Sequence, residues 1–221
     1  DAEGQEDFLK NHQNVDIHVA GEGEEPFAQL LSVLFEYNFD IEKIKEEKIK
    51  IGSCHYIING EFIRGELLPP ISDLDDIPSP YLLGLLDKVL DQNLKPLMQT
   101  TRGCPFACTF CQEGDDYYNK IRRFSLGRVK DELKYLAKKA TVTSLSVTDS
   151  NFGMYKEDLE FSKEIASVRE KYNWPETFEG ISGKNKKETV LEAISIVGKT
   201  YFGAAVQSTD EQVLKNVKRK N

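Results

Sequence analysis

The sequence predicts an α/β protein whose larger part is a parallel sheet curving towards a partial (β/α) barrel of about four strand-helix units. Three observations predict it. From Lys95 onward, strand-like runs alternate four times with segments whose apolar residues recur every three or four positions. Small polar residues stand at the end of each run, where a buried strand turns into a helix. Hydrophobic residues make up 39% and charged residues 30% of the 221-residue chain, enough to build a core and inconsistent with disorder.

The elements follow in order. Asn14–Ala20 alternates apolar and polar residues like a strand, and Gly21–Glu24 turns it into a helix over Pro26–Phe35. Phe27, Leu30, Leu31, Leu34 and Phe35 share one face of that helix. Pro26 suits a first helical turn, and the acidic residues before it favour the positive end of the helix dipole. Two short strand-like runs between Ile49 and Ile63 flank Asn59-Gly60, a hairpin signal. Leu68–Pro80, rich in proline and aspartate, reads as an extended connector.

Pro96–Thr101 is the first strand of the repeated region, and a cysteine-bearing loop follows it. A helix over Arg128–Ala140 groups Val129, Leu133, Leu136 and Ala140. Thr143–Thr148 is the second strand, and Phe161, Ile165, Val168 and Tyr172 align on a helix over Glu157–Tyr172. Glu176–Ile181 is the third strand, followed by a helix over Glu188–Val197 bearing Val190, Ile194 and Val197. Thr200–Val206 is the fourth strand and Asp210–Lys218 the fourth helix, begun by a capping box at Thr209-Asp-Glu-Gln212. The basic cluster Lys215–Lys220 suits the end of that helix. A complete eight-unit barrel takes about 250 residues, so four units predict half of one. Together with a first residue other than methionine and a lone strand-helix unit before the connector, this predicts an internal piece of a longer polypeptide. Its apolar strand edges are expected to favour self-association.

Cys104, Cys108 and Cys111 fall within eight residues, in the loop after the first parallel strand. Active sites of parallel α/β folds lie at the C-terminal ends of the strands, so the loop stands where chemistry is expected. Three thiolates without a fourth suit an incompletely ligated [4Fe-4S] cluster, whose fourth iron stays open to a small molecule. A closed zinc site needs four ligands, and His12, His18 and His55 all lie at least 49 residues upstream of Cys104. Cys108-Thr-Phe-Cys111 alone also reads as a thioredoxin-like redox pair, which leaves Cys104 without a role. Cys54 reads as a small buried hydrophobe. The other strand ends carry Asp149-Ser-Asn151, Ser182-Gly-Lys184-Asn185 and Gln207-Ser208, which read singly as turn formers or caps and together as a ligand-binding rim.

Net charge is −8, so no overall basic field draws the chain to nucleic acid or anionic lipid. Apolar runs fall far short of the roughly 20 residues that span a bilayer, and no signal-peptide pattern is present. Clustered cysteines fit a reducing compartment better than a disulfide framework, which predicts a cytoplasmic location.

Arg102-Gly-Cys104-Pro-Phe-Ala-Cys108-Thr-Phe-Cys111, Arg123-Phe-Ser, Asp149-Ser-Asn-Phe-Gly and Val206-Gln-Ser-Thr-Asp210 together resemble the core of the radical S-adenosylmethionine (radical SAM) superfamily over Leu94–Asn221. Upstream, Val15–Glu24 and Leu74–Tyr81 are similar to the junction in its cobalamin (B12)-binding branch, where a Rossmann-like domain precedes a TIM-like radical SAM barrel. The resemblance implies three segments. Residues 1–40 correspond to the terminal strand and helix of a truncated cobalamin-binding-like domain, 41–93 to a connector with a β-hairpin, and 94–221 to the N-terminal part of the barrel.

The resemblance also implies a chemistry. Cys104, Cys108 and Cys111 hold three irons, and S-adenosylmethionine chelates the fourth through its amino and carboxylate groups. Reductive cleavage of the sulfonium then yields methionine and a 5′-deoxyadenosyl radical that abstracts hydrogen from substrate. By carry-over, Asp149 and Asn151 lie near the methionine amino group, Gln207 and Ser208 near the ribose, and Phe110 against the adenine. The family's second-strand motif is Gly-Gly-Glu-like, from which Thr148-Asp-Ser-Asn151 departs. Arg123 reads either as a partner of the carboxylate or as an exposed arginine before a helix. A metabolite substrate and an electron donor such as flavodoxin or ferredoxin are implied, with cobalamin in the full-length protein. None of His12, His18 and His55 is read as standing in the family's cobalt-ligating Asp-x-His-x-x-Gly context. Methyl transfer, a non-methylating radical reaction and electron transfer without S-adenosylmethionine remain the three readings.

Overall fold

The computed structural model describes residues 2–219. Contacts divide the chain into two units, Asp1–Ile71 and Ser72–Asn221. No helix among the described residues is long and apolar enough to cross a membrane. Lys220, the last residue of the basic cluster, lies outside the described residues.

The first unit holds α1 (Ala2–Asn11), β1 (His18–Val19), α2 (Glu24–Glu36), α3 (Ile41–Glu46), β2 (Cys54–Ile58) and β3 (Glu61–Arg64). The strand expected over Asn14–Ala20 shortens to two residues, and it pairs antiparallel with β2 rather than standing alone with its helix. The hairpin forms as the turn residues dictate: Asn59 and Gly60 both take positive φ, 50° and 79°, between the paired β2 and β3. Leu30, Ile51 and Cys54 form the buried cluster of this unit, while Phe27 and Phe35 of the expected apolar face of α2 are exposed. Burial pushes the Cys54 thiol up to about 11, which keeps it a neutral packing group.

The second unit begins with irregular chain through a 3-10 turn at Leu74–Asp76 and continues with α4 (Asp87–Leu90), β4 (Leu97–Met98), β5 (Thr101–Arg102), β6 (Arg122–Arg123) and α5 (Leu126–Lys139). It ends with β7 (Ser144–Val147), α6 (Lys156–Tyr172), β8 (Thr177–Ile181), α7 (Lys187–Val197), β9 (Thr200–Gly203) and α8 (Glu211–Asn216). β4, β7, β8 and β9 form one parallel sheet in chain order, as consecutive strands of a barrel wall do. Helical periodicity named most of its core, although Ala140, Tyr172 and Ile194 are half-buried and the buried Ala193 was not picked out. Val129, Leu133 and Leu136 of α5, Phe161, Ile165 and Val168 of α6, and Val190 and Val197 of α7 are all buried. Leu145, Val147 and Phe178 fill the sheet beneath them, and Phe152, Phe161, Phe178 and Phe202 meet ring to ring at 5.2–6.1 Å.

Two local expectations need correction. The strand expected over Pro96–Thr101 leaves the parallel sheet after Met98, and Thr101–Arg102 pairs antiparallel with Arg122–Arg123 instead. The cap of α8 is Asp210 rather than Thr209: its carboxylate accepts from the Val213 N–H at 2.9 Å. An aspartate is as good a cap as threonine, and a one-residue shift follows from which side chain reaches the third N–H beyond it.

His55 is buried in the first unit, where the Gly65 N–H donates to its Nδ1 at 3.2 Å. Burial, with the neighbouring charges of His18 and Arg64, holds its imidazole below the usual histidine range. The unfolded chain therefore binds a proton at a pH where the folded one does not. Stability from this group is complete above about pH 6.5 and is lost as pH falls below it. Opening of β2–β3, read by hydrogen exchange corrected for intrinsic rates, is expected to become easier at lower pH, and His55→Gln to flatten that dependence. In the second unit, Phe178→Ala removes the ring at the centre of the aromatic cluster and is expected to lower stability by about 3–5 kcal/mol in a denaturant titration.

Candidate functional site

Asp149 stands two residues beyond the end of β7 with 1% of its surface exposed. Its Oδ1 accepts from the Thr100 and Thr101 N–H groups at 2.7 and 3.1 Å, and its Oδ2 accepts from the Thr100 hydroxyl. Those two N–H groups belong to the chain just after β4, where the parallel ladder ends. The carboxylate thus satisfies donors that would otherwise be buried unpaired, and it bends the chain into β5. Burial pushes the Asp149 carboxyl up, opposed by these hydrogen bonds. The structure therefore turns Asp149 towards the start of the cysteine loop, not towards open space for a ligand ammonium.

β5 delivers the chain to Gly103 and Cys104. Gly103 has φ 102°, and a Cβ there would lie 2.3 Å from the Lys120 carbonyl oxygen, so glycine is required. The Cys104 N–H donates to the Tyr118 carbonyl at 2.9 Å, closing the loop on itself. At the far end the Cys111 N–H donates to the Cys108 carbonyl at 3.1 Å, and a Cβ on Gly114 would stand 2.2 Å from that same oxygen. Cys104 and Cys108 are buried, Cys111 is exposed, and all three thiols are free.

The neighbouring strand ends reach this loop. Asn151, 5% exposed, donates from Nδ2 to Cys104 Sγ at 3.3 Å, while its buried Oδ1 has no hydrogen-bond partner. The Ser150 hydroxyl donates to Glu113 at 2.8 Å, Lys184 Nζ lies 5.0 Å from the centre of the Phe106 ring, and the Thr109 N–H donates to the Val217 carbonyl at 3.1 Å. A cavity of about 650 Å³ opens beside the loop, floored by Pro105, Phe106, Ala107 and Leu214 and edged by Lys215 and Lys218.

Other expected contacts come out differently. Phe110 and Gln207 are exposed, Gln207 with a positive φ of 68°. Ser208 accepts the Asp210 N–H on its hydroxyl at 3.0 Å, a local turn bond. Arg123 is not an exposed arginine. It bonds the buried Asp158 at 3.1 Å, its guanidinium covers the Tyr155 ring at 4.5 Å, and its Nη2 makes no hydrogen bond, with Glu157 3.9 Å away. Asp158 also accepts the Gly153 and Tyr155 N–H groups at 2.9 and 3.0 Å, which ties the loop after β7 to α6. Asp158 and Glu113 are residues that sequence reasoning missed, because the side chains they meet, Arg123 and Ser150, lie 35 and 37 positions away.

Among the described residues no three His, Cys, Asp or Glu side chains converge on a point for one ion. A single zinc draws its sulfur ligands to about 2.3 Å from a common centre, whereas a cluster meets each thiolate at a different iron. His18 needs a correction of another kind. Asp16-Ile17-His18-Val19-Ala20-Gly21 does satisfy the Asp-x-His-x-x-Gly spacing that the sequence reading denied it. The structure turns Asp16 to Lys45 at 2.8 Å and places the His18 ring 5.5 Å from Phe8 and 6.0 Å from His55, with its buried Nδ1 making no hydrogen bond, so the aspartate does not back the imidazole.

A parallel strand-helix wall with three cysteines free of disulfides in the loop at its C-terminal rim defines the class, an α/β protein that presents thiols at its strand ends. The Radical SAM superfamily pattern matches residues 98–221, and the chain belongs to that superfamily. Over 97% of its length the chain is 30% identical to the cobalamin-dependent radical SAM methyltransferase TokK of Streptomyces tokunonensis. It is 31% identical to the 2-(S-pantetheinyl)-carbapenam-3-carboxylate methyltransferase of Streptantibioticus cattleyicolor over the same share. The chain spans 32% of the length of each of these relatives. Its fold is shared with OxsB, a cobalamin-dependent S-adenosylmethionine radical enzyme solved with aqua-cobalamin and S-adenosylmethionine bound (TM-score 0.65, 18% identity, 98% of this chain and 31% of that one). TsrM of Kitasatospora setae, a radical S-adenosylmethionine methyltransferase solved with cobalamin and a [4Fe-4S] cluster, matches at TM-score 0.64 and 14% identity over 96% of this chain and 41% of that one.

Removing the Asp149 carboxylate leaves buried N–H groups without acceptors, at about 1–3 kcal/mol each. Asp149→Ala is expected to loosen the loop and speed alkylation of Cys104 and Cys108 several-fold in the metal-free chain. Asp149→Asn retains an acceptor and should leave those rates close to wild type, with the exposed Cys111 reacting first in every case. Mass spectrometry of the alkylated peptides checks both.

Proposed function

We propose that this chain is the cluster-bearing part of a radical SAM methyltransferase. Cys104, Cys108 and Cys111 hold three irons of a [4Fe-4S] cluster and leave the fourth for S-adenosylmethionine. The observation that carries the reading is the pairing of three free thiols with Asn151, whose amide touches Cys104 Sγ and keeps a buried, unpaired Oδ1 beside it. Such an acceptor suits an ammonium donor. A bound and reduced cluster of this kind supplies the electron that cleaves the sulfonium carbon–sulfur bond.

The chain's own residues hold and orient. Asp149 fixes the path into the loop, while Gly103 and Gly114 admit close backbone packing around Cys104 and Cys108. Asn151 takes the amino-group role expected of the second strand end, and Asp149 supports it from behind. Arg123 is held by Asp158 and Glu157 against the Tyr155 ring, so its part is to fix the loop after β7. Gln207 and Ser208, four and five residues beyond β9, take the ribose, and Phe110 offers an exposed ring to the adenine.

Methyl transfer to a small-molecule acceptor and cobalamin dependence of the full-length protein are supported by the names of the two relatives that align along nearly the whole chain. In that reading residues 1–40 close a cobalamin-binding-like domain, 41–93 connect it, and 94–221 begin the barrel. A reducing cytoplasm and a small redox protein such as flavodoxin or ferredoxin complete the proposal, in keeping with four free thiols.

The test uses the full-length protein, reconstituted anaerobically with iron and sulfide and supplied with dithionite and S-adenosylmethionine. Formation of 5′-deoxyadenosine is expected in the wild type and is expected to vanish in each of Cys104→Ala, Cys108→Ala and Cys111→Ala. A wild type that carries an intact cluster yet releases no cleavage product would overturn the reading.

A further inference from the structure

The hydrogen bond from Asn151 Nδ2 to Cys104 Sγ is held in a setting that leaves the amide little freedom. Asn151 is 5% and Cys104 2% exposed, so neither atom exchanges its partner for water. The next residue, Phe152, is 1% exposed and locked among the rings of Phe161, Phe178 and Phe202. Its backbone bridges to Ser182, just past the end of β8, which fixes the Asn151 main chain. On the other side, the Cys104 N–H is tied to the Tyr118 carbonyl. Donor and sulfur are thus set by two independent pieces of the fold.

A hydrogen bond to a cluster thiolate withdraws charge from the sulfur. The reduced cluster carries one more negative charge than the oxidised one, so it gains more from the donor, and the reduction potential rises. The gain is larger in a buried site of low dielectric than in water. We propose that Asn151 tunes the cluster held by Cys104, Cys108 and Cys111 to a higher reduction potential through its N–H···S bond to Cys104. The inference rests on the cluster reading above and adds a role that the same residue's contact with an ammonium group does not require. It makes Asn151 a positioning and tuning residue for electron acceptance, acting through Cys104.

The experiment is a redox titration of the full-length protein, anaerobically reconstituted, without S-adenosylmethionine. The electron paramagnetic resonance signal of the reduced cluster is followed against dithionite and mediator dyes, and iron and sulfide are counted per chain. Asn151→Ala removes the donor, and Asn151→Asp is nearly isosteric but places an oxygen acceptor against the sulfur. Both are expected to retain wild-type iron content and to shift the midpoint to more negative values, Asn151→Asp further than Asn151→Ala. A midpoint that stays in place or rises in a variant with full iron content overturns the inference and leaves the cluster reading standing. Loss of iron in both variants also overturns it, since Asn151 then holds the cluster rather than tunes it. A wild type that binds no cluster overturns the cluster reading, and the inference with it.

Discussion

The second unit depends on one buried carboxylate. A strand leaving a parallel sheet must find acceptors for the N–H groups that lose their ladder partners, and at Thr100 and Thr101 the acceptor is Asp149, supplied by the next strand of the sheet. Because β4 and β7 are paired in register up to Met98 and Val147, the carboxylate sits where the ladder gives out. The bend it enforces sends the chain into β5, and β5 in turn sets Gly103 and Cys104 at the rim of the sheet. Without that bend, continued pairing along β7 would carry the cysteines past the strand ends.

Asn151 and Asp158 extend the same logic to neighbouring positions. Asn151 lies on the segment after β7 and Asp158 in the first turn of α6, and both are buried polar groups with partners elsewhere: Asn151 on Cys104, and Asp158 on Arg123 and on the N–H groups of Gly153 and Tyr155. Buried charges survive only where they are paired and hydrogen-bonded, so this segment is as firmly fixed as the core beneath it. A rigid frame of this kind suits a cluster loop, because thiolate geometry is then set by the fold before any iron arrives. Asn151 Oδ1 is left without a hydrogen-bond partner in this frame, an acceptor beside the cysteine loop.

Much of this was legible in the sequence. The 3.6-residue spacing of Val129, Leu133 and Leu136, and of Phe161, Ile165 and Val168, named the buried faces of α5 and α6 because packing against a sheet leaves one stripe of a helix dry. Asn59-Gly60 named its hairpin because few other residue pairs accept two positive φ angles. The cysteine spacing named the family. Side-chain direction at the site was not legible: Asp149 and Asn151 are two positions apart and read alike as turn formers, yet one turns to the Thr100–Thr101 backbone and the other to a thiol. For Asp16 and His18 a motif spacing was present while the pairing it suggests was not, because Lys45 lies within reach of the carboxylate.

Sequence alone determined the alternation of strands and helices from Thr143 onward, the packing faces of α5 and α6, and three thiols in one loop, since periodicity and motif spacing are local properties of the chain; α1, α3, α4 and the β5–β6 pair were not read from it. Tertiary structure alone decided which strand end meets which loop: Asp149 with Thr100, Asn151 with Cys104, Asp158 with Arg123. These pairs are separated by 35 to 49 residues, and only the parallel stacking of β4 against β7, with α6 returning over it, brings them within hydrogen-bonding distance.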